Sequence, residues 1–347
     1  MVRYKLSILL VIVIAYLSFL VNACRKNDVI KYNSPEPVNF VTPEGFPAPV
    51  YNFAGNPLTR QGIELGRQLF HESKLALYND VNCGSCHQQH AGFTQFDHDL
   101  GHGTNHQHTT RNPPGIFNMV WHTSFKWDGS VATLPDMVES CLMAPEKMSQ
   151  TYEGLIPKLD TSANYKKLFG EAFGDENITG ERIKNALTQF VATIVSADSK
   201  YDRVKKGEAV FNESEQQGYE LFKAKCAACH QEPLFTDFSF RNNGLPVSEF
   251  HPDYGRMDFT HNPSDSIKFK VASLRNVEVT GYYTHDGRFS GLTEMLDHYS
   301  ENIVQSNTLD PLLVNKIPLD NLEKFYLLEF LFTLTDSTML TNPAFGN

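Results

Sequence analysis

The sequence predicts a mainly α-helical fold of two related units with long loops, and three observations carry that expectation. A helix leading into a Cys-x-x-Cys-His run occurs twice, apolar residues recur at helical spacing after each copy, and strand signals are sparse. At 347 residues the chain is long enough for two cores. Hydrophobic residues at 41%, charged residues at 20% and aromatic residues at 12% exclude a disordered or collagenous protein. With 30 basic against 40 acidic residues, the net charge of −10 argues against a nucleic-acid binder, which needs a basic stripe, and suits a cationic partner.

In chain order, the first element is a targeting segment. Arg3 and Lys5 precede an apolar run from Leu6 to Val21 that ends Val21-Asn22-Ala23-Cys24. The arrangement resembles a bacterial lipoprotein signal, with residues 1–23 removed and Cys24 the lipidated first residue; the alternative is an uncleaved anchor. Either way the body is exported, and residues 24–54, rich in proline and polar residues, read as a tether. Gly62, Ile63, Gly66, Leu69 and Phe70 form one helical face, with Thr59 as its cap. The same unit returns at 214–222, where Ser214 and Gln217 suit a capping box. Ile183, Ala186, Leu187, Phe190, Val191 and Ile194 make a helical stripe that closes a first domain at 55–198. In a second domain at 199–347, Asp320 and Glu323 cap a last helix with Leu322, Phe325, Leu328 and Phe332 facing inward. Residues 231–290, rich in Gly, Asn, Asp and Pro, read as long loops over a second cofactor.

The cofactor is read from Cys83-Gly84-Ser85-Cys86-His87 and Cys226-Ala227-Ala228-Cys229-His230. Two thiols at this spacing can add across both vinyl groups of one porphyrin, and the adjacent histidine reaches the iron from the same side. A zinc site would need a second cysteine pair in its own unit, and a thioredoxin-like pair would need a βαβ setting; neither is present. The expectation is two covalently bound haem c groups in two cytochrome c-like domains, with Cys83, Cys86, Cys226 and Cys229 as attachment points and His87 and His230 as iron ligands. Covalent haem attachment fits export to the periplasm or cell envelope. Cys141 has no evident thiol partner and reads as a buried small hydrophobe.

Further blocks follow each motif. After the first come Ala91-Gly92-Phe93-Thr94, Gly101-His102-Gly103, Arg111-Asn112-x-Pro114, Asn118 and Trp127-Asp128-Gly129. After the second come Gly255-Arg256, Phe269-Lys270-Val271, Leu274-Arg275-Asn276-Val277 and His285-Asp286-Gly287. In content and order these resemble the bacterial dihaem cytochrome c peroxidase and MauG family over nearly all of residues 55–340. The resemblance implies a peroxidatic haem on His87 and an electron-transfer haem on His230. It makes Trp127 a relay between the haems, His102 a reversible distal ligand, and Asn112 with the backbone carbonyls of Thr280 and Tyr282 ligands to a calcium ion. It further implies hydrogen peroxide as substrate, a small redox protein such as a cytochrome c as electron donor or else a protein substrate, and leaves a homodimer open.

Two departures from the family pattern bear on mechanism. Peroxidases of the family commonly carry methionine fourteen residues after the histidine of His-Asp-Gly, where this chain has Tyr299, as the MauG branch does. Met295 lies one helical turn earlier and rivals Tyr299 as sixth ligand of the second haem. Where the family often reads Pro-x-Glu-Met, this chain reads Pro145-Glu146-Lys147-Met148, so that either Glu146 or Lys147 takes the catalytic acid–base role. The expected activity is peroxide reduction to water with electrons from a redox protein. The alternatives are MauG-like oxidation of a Trp or Tyr in a partner protein and a non-enzymatic dihaem electron carrier.

Overall fold

The computed structural model describes residues 31–249 and 252–346, so the targeting segment and Cys24 lie outside the described residues. In chain order the helices are α1 (Arg60–Phe70), α2 (Cys83–Cys86), α3 (Leu134–Met143), α4 (Tyr152–Asp160), α5 (Ala163–Phe173), α6 (Gly180–Ala192), α7 (Lys200–Lys205), α8 (Glu213–Lys225), α9 (Arg256–Thr260), α10 (Leu292–Glu301), α11 (Asn321–Phe332) and α12 (Ser337–Thr341). Among the described residues the named strands are β1 (Phe240–Arg241) and β2 (Phe269–Lys270), antiparallel with Phe240 opposite Lys270. The mainly helical expectation therefore holds. No helix among the described residues is long and apolar enough to cross a membrane.

The repeated unit is a pair of crossed helices, and glycine sets how closely they cross. The Thr59 hydroxyl accepts from the Gly62 amide at 3.0 Å and starts α1. Where α1 meets α6, a Cβ on Gly66 would lie 2.0 Å from the Ala186 carbonyl oxygen. Where α8 meets α11, a Cβ on Gly218 would lie 1.9 Å from the Tyr326 carbonyl oxygen. Gly66→Ala and Gly218→Ala must push backbone apart at corresponding crossings, and each is expected to cost about 1–3 kcal/mol or more. Thermal melts of the two holoprotein variants check this; an unchanged midpoint in either refutes the close-crossing account for that pair. The cap of α8 is not Ser214 with Gln217 but Asn212 with Glu215, two residues earlier. Asn212 accepts from the Glu215 amide and Glu215 from the Asn212 amide, both at 2.8 Å.

Two main hydrophobic cores result among the described residues, with a small third cluster of Ile303, Leu309 and Leu313. The first gathers Leu65, Leu69, Phe70, Ile183, Leu187 and Phe190 around α1 and α6; the second gathers Phe222, Phe235, Leu327, Phe330 and Leu331 around α8 and α11. The inward face of α11 differs in part from expectation: Leu328 packs on the core, but Leu327, Phe330 and Leu331 are the buried residues, whereas Leu322, Phe325 and Phe332 are exposed. This helix is apolar nearly all round, so its period does not select a face, and the close approach at Gly218 does. The expected tether is also corrected over its described part. Residues 36–51 pack on the first core: the Val50 and Tyr51 amides donate to the Val120 carbonyl at 3.0 Å, the Trp121 indole donates to the Pro47 carbonyl at 2.8 Å, and Phe40 and Phe46 pack on Trp121. At the other end, Met339 and Phe345 join the first core, so the chain end departs from a simple division at 199.

The short α7 anchors the second core by charge. Arg275, with no exposed surface, pairs in bidentate fashion with Asp202 at 2.7 and 2.8 Å. Burial alone would raise the Asp202 pKa, but hydrogen bonding and charge from Arg275 outweigh it and hold the carboxyl below its usual range. The pair therefore stabilises the fold above a pH of about 4, and that contribution is lost as pH falls through the lower folded-state value. Asp202→Ala leaves a buried guanidinium uncompensated and is expected to cost about 3–5 kcal/mol in chemical denaturation at neutral pH. A loss below 1 kcal/mol would show that Arg275 is otherwise satisfied.

Candidate functional site

A cavity of about 1570 Å³ is lined by Cys83, Cys86, His87, Cys226, Cys229 and His230 together. The first motif opens α2, which Asn82 and Ser85 cap reciprocally. The His87 Nδ1 lies 2.9 Å from the Phe93 carbonyl, and burial pushes the imidazole pKa down to about 4. The His230 Nδ1 lies 3.2 Å from the Phe235 carbonyl and 3.1 Å from the Ala272 carbonyl, and burial lowers this pKa as well. A carbonyl acceptor fixes Nδ1 as the protonated nitrogen and leaves the Nε2 lone pair available in a neutral ring, the state a metal requires. Burial also pushes the thiols up, Cys83 and Cys226 to about 12 and Cys86 to about 11. Buried neutral thiols beside pinned histidines, on a largely apolar cavity, fit covalent haem at both motifs.

His102, Glu146 and Lys147 all line this cavity beside the first motif. The loop holding His102 presses on the Pro145–Met148 turn. The Thr104 amide donates to the Lys147 carbonyl at 2.7 Å, and a Cβ on Gly103 would lie 2.2 Å from the Glu146 carbonyl oxygen. The Lys147 ammonium lies 3.9 Å from Cys141 Sγ, and its charge contributes, after burial, to depressing His87. Lys147 thus reaches the first motif. Cys141 is not fully buried: it is partly buried and faces the cavity. His102 sits between the rings of His98 and His108, at 4.6 and 4.4 Å, and burial, followed by the charges of His108 and His98, lowers its pKa. Among the described residues no group of three His, Cys, Asp or Glu is placed to hold a metal ion.

On the second side, α10 presents both Met295 and Tyr299 to the cavity. Burial pushes the Tyr299 phenol up to about 12, and the neighbouring Cys229 and Cys226 thiols act in the same direction, which puts the phenol in the field of the second motif. Trp127 lines the same cavity and donates from its indole to the Asn112 carbonyl at 2.8 Å. The Asn112 amide nitrogen contacts the Tyr282 carbonyl and lies 3.3 Å from that of Thr284, while its Oδ1 is buried with no hydrogen-bond partner. Tyr282 and Thr284 both have positive φ, at 64° and 80°, a strained backbone for such residues. Arg111 ties this region together through Asp128 at 2.6 Å and Asp253 at 2.7 Å.

These features have counterparts in known proteins. The model of the di-haem cytochrome c peroxidase family matches residues 60–210. The chain is 31% identical over 315 residues to the methylamine utilization protein MauG of Methylophilus methylotrophus, covering 89% of this chain and 91% of that one. The chain belongs to the di-haem cytochrome c peroxidase family. Within that family it is also 31% identical over 275 residues to the cytochrome c551 peroxidase of Nitrosomonas europaea, covering 78% of each. Among solved structures it resembles a MauG-like protein associated with microbial copper homeostasis, with 31% identity, a TM-score of 0.83, and coverage of 89% of this chain and 99% of that one.

As a di-haem peroxidase family member the protein is an oxidoreductase that carries two haem c groups, and the shared cavity has a motif for each. Sequence reasoning gave two of its lining residues no role. Lys270, quoted only as part of a block, is buried; its ammonium contacts the Ser124 carbonyl, and burial lowers its pKa to about 8. His122 faces the cavity beside Phe238, 4.8 Å away, and burial lowers its pKa to about 3. The apolar flanks of Lys270 were a usable signal of burial; His122 had none. The 231–290 loops do more than cover the second motif, because the Lys270 amide donates to the Trp127 carbonyl at 2.7 Å and Asp253 binds Arg111.

Proposed function

We propose that this protein is a dihaem c peroxidase that reduces hydrogen peroxide to water with electrons from a small redox protein, peroxide meeting the His87 haem and electrons entering at the His230 haem. The observation that carries the reading is the shared cavity with both motif histidines pinned through Nδ1. When bound, the haems supply the iron that accepts peroxide oxygen and the electrons that cleave its O–O bond. The chain supplies the rest. His87 and His230 orient Nε2 toward the cavity, and His102 must turn away before peroxide enters. Lys147, as an ammonium whose charge reaches the first motif, donates a proton to the departing peroxide oxygen. Trp127, held by its indole hydrogen bond, relays electrons across the shared cavity.

Intact-mass analysis of protein matured with a working attachment system is expected to show two haems, and peroxide-dependent oxidation of reduced cytochrome c to follow. Two haems with low-spin ferric signals in every redox state and no peroxide consumption would instead support a carrier. A MauG-like oxidation of a Trp or Tyr in a partner protein is a second reading, favoured by the phenol of Tyr299 beside the second motif.

The finer site proposals have their own support. The unpartnered Asn112 Oδ1, with the Tyr282 carbonyl beside its amide, suits a hard cation such as calcium, with the Thr280 carbonyl as a further ligand. The Val-Asn-Ala-Cys junction supports a lipid anchor on Cys24 and a location in the periplasm or cell envelope. The paired cores support two haem domains, 55–198 and 199–347, with the chain end crossing back to the first.

A further inference from the structure

The last residues of the chain leave the core they follow. After α11 the backbone turns at Asp336, whose carboxylate accepts from the Ala197 and Asp198 amides at 2.8 and 3.0 Å, while its own amide donates to Asn276 Oδ1 at 2.8 Å. From there α12 and the tail to Gly346 run back over the first core, where Met339 and Phe345 are buried. The tail is held at four points. Gln89 donates to the Met339 and Asn342 carbonyls at 2.9 and 2.8 Å, Arg67 donates to the Gly346 carbonyl at 2.7 Å, and a His71 ring nitrogen lies 3.0 Å from the Phe345 carbonyl.

What the tail touches is the turn that carries the histidine's hydrogen-bond partner. The Phe345 ring packs edge-on against Phe93 with centroids 6.0 Å apart. Phe93 supplies the carbonyl 2.9 Å from His87 Nδ1, with the Pro114 carbonyl a lesser partner of the same ring, and the Phe93 backbone has a φ of 59°, in the left-handed region. For a bulky residue this conformation costs about 1–3 kcal/mol and persists where the surroundings impose it. Gln89, which grips the tail, belongs to the same turn, closed internally by the Phe93 amide on the Gln88 carbonyl at 2.8 Å. His230 Nδ1 has two carbonyl partners, Phe235 and Ala272, both from its own half of the chain.

We propose that the C-terminal tail, residues 337–346, is a clamp that positions His87: by holding Phe93 and Gln89 it fixes the carbonyl that sets the His87 ring, and so the direction of Nε2 toward the first haem. The end of the chain thereby completes the site at its beginning, and Phe345 is a positioning residue that acts through Phe93. Partners of a ligand histidine's second nitrogen fix ring orientation and ligand basicity, so loss of the clamp alters the first haem's axial bond and leaves the second untouched. The proposal rests on His87 as the axial ligand.

The test is electron paramagnetic resonance of the full-length ferric holoprotein, with His87→Gly identifying the signal of the first haem. Phe345→Ala is expected to shift and broaden that signal, to leave the other in place, and to retain two haems by mass. An unchanged first-haem signal overturns the proposal, as do equal shifts of both signals, which would mean general loosening. Where Phe345→Ala does not accumulate as holoprotein, Phe345→Leu keeps most of the apolar volume and is expected to move the same signal by less; no movement there overturns the clamp. If His87→Gly leaves both signals intact, the ligand assignment itself fails and the clamp with it.

Discussion

Tyr299→Phe is expected to remove the native low-spin signature of the second haem and to raise its reduction potential by on the order of a few tenths of a volt. A phenolate is a hard anionic donor that stabilises oxidised iron, whereas a thioether raises the potential. Burial keeps the free phenol protonated, with a pKa near 12, so ligation must include loss of that proton to the metal's charge. Met295 faces the same cavity one turn earlier on α10, and Met295→Leu is expected to change little. The consequence for function follows from the potential. A low-potential second haem is a poor acceptor from an ordinary cytochrome c, so slow turnover with that donor accompanied by a faster Tyr299→Phe variant would favour the protein-oxidising reading. A methionine-type charge-transfer band that survives in Tyr299→Phe and vanishes in Met295→Leu would reverse the ligand assignment.

Lys147→Met is expected to lower kcat/KM for peroxide by about 10²-fold or more with both haems retained, because a proton-transfer group in the distal space is removed. Glu146→Gln is expected to stay within a few-fold. The distinction rests on reach: the Lys147 ammonium lies 3.9 Å from Cys141 Sγ and its charge acts on His87 and Cys86. Stopped-flow peroxide consumption separates them. Equal losses in both variants would mean that the two side chains act together; a loss confined to Glu146→Gln would return the role to the carboxylate.

The attachment motifs, the helical class and the family blocks are all legible in the sequence, since each depends on residues a few positions apart and on chemistry that tolerates few substitutes. Cys83, Cys86 and His87 need no tertiary argument to be read as a haem site. The cap of α11 was equally local, and Asp320 with Glu323 is found there. Its buried face was not, because a helix apolar all round carries no period, and the choice fell to a glycine crossing over a hundred residues away in sequence. The same holds for the strap at 36–51 and for the chain end. Nothing in the composition of either says what it packs against; Phe46 finds Trp121, and Phe345 finds Phe93, through long-range contacts. The choice between Lys147 and Glu146 belongs to this class too. Adjacent residues are equivalent to a pattern, and electrostatic reach depends on distance in space, which the fold sets for each side chain.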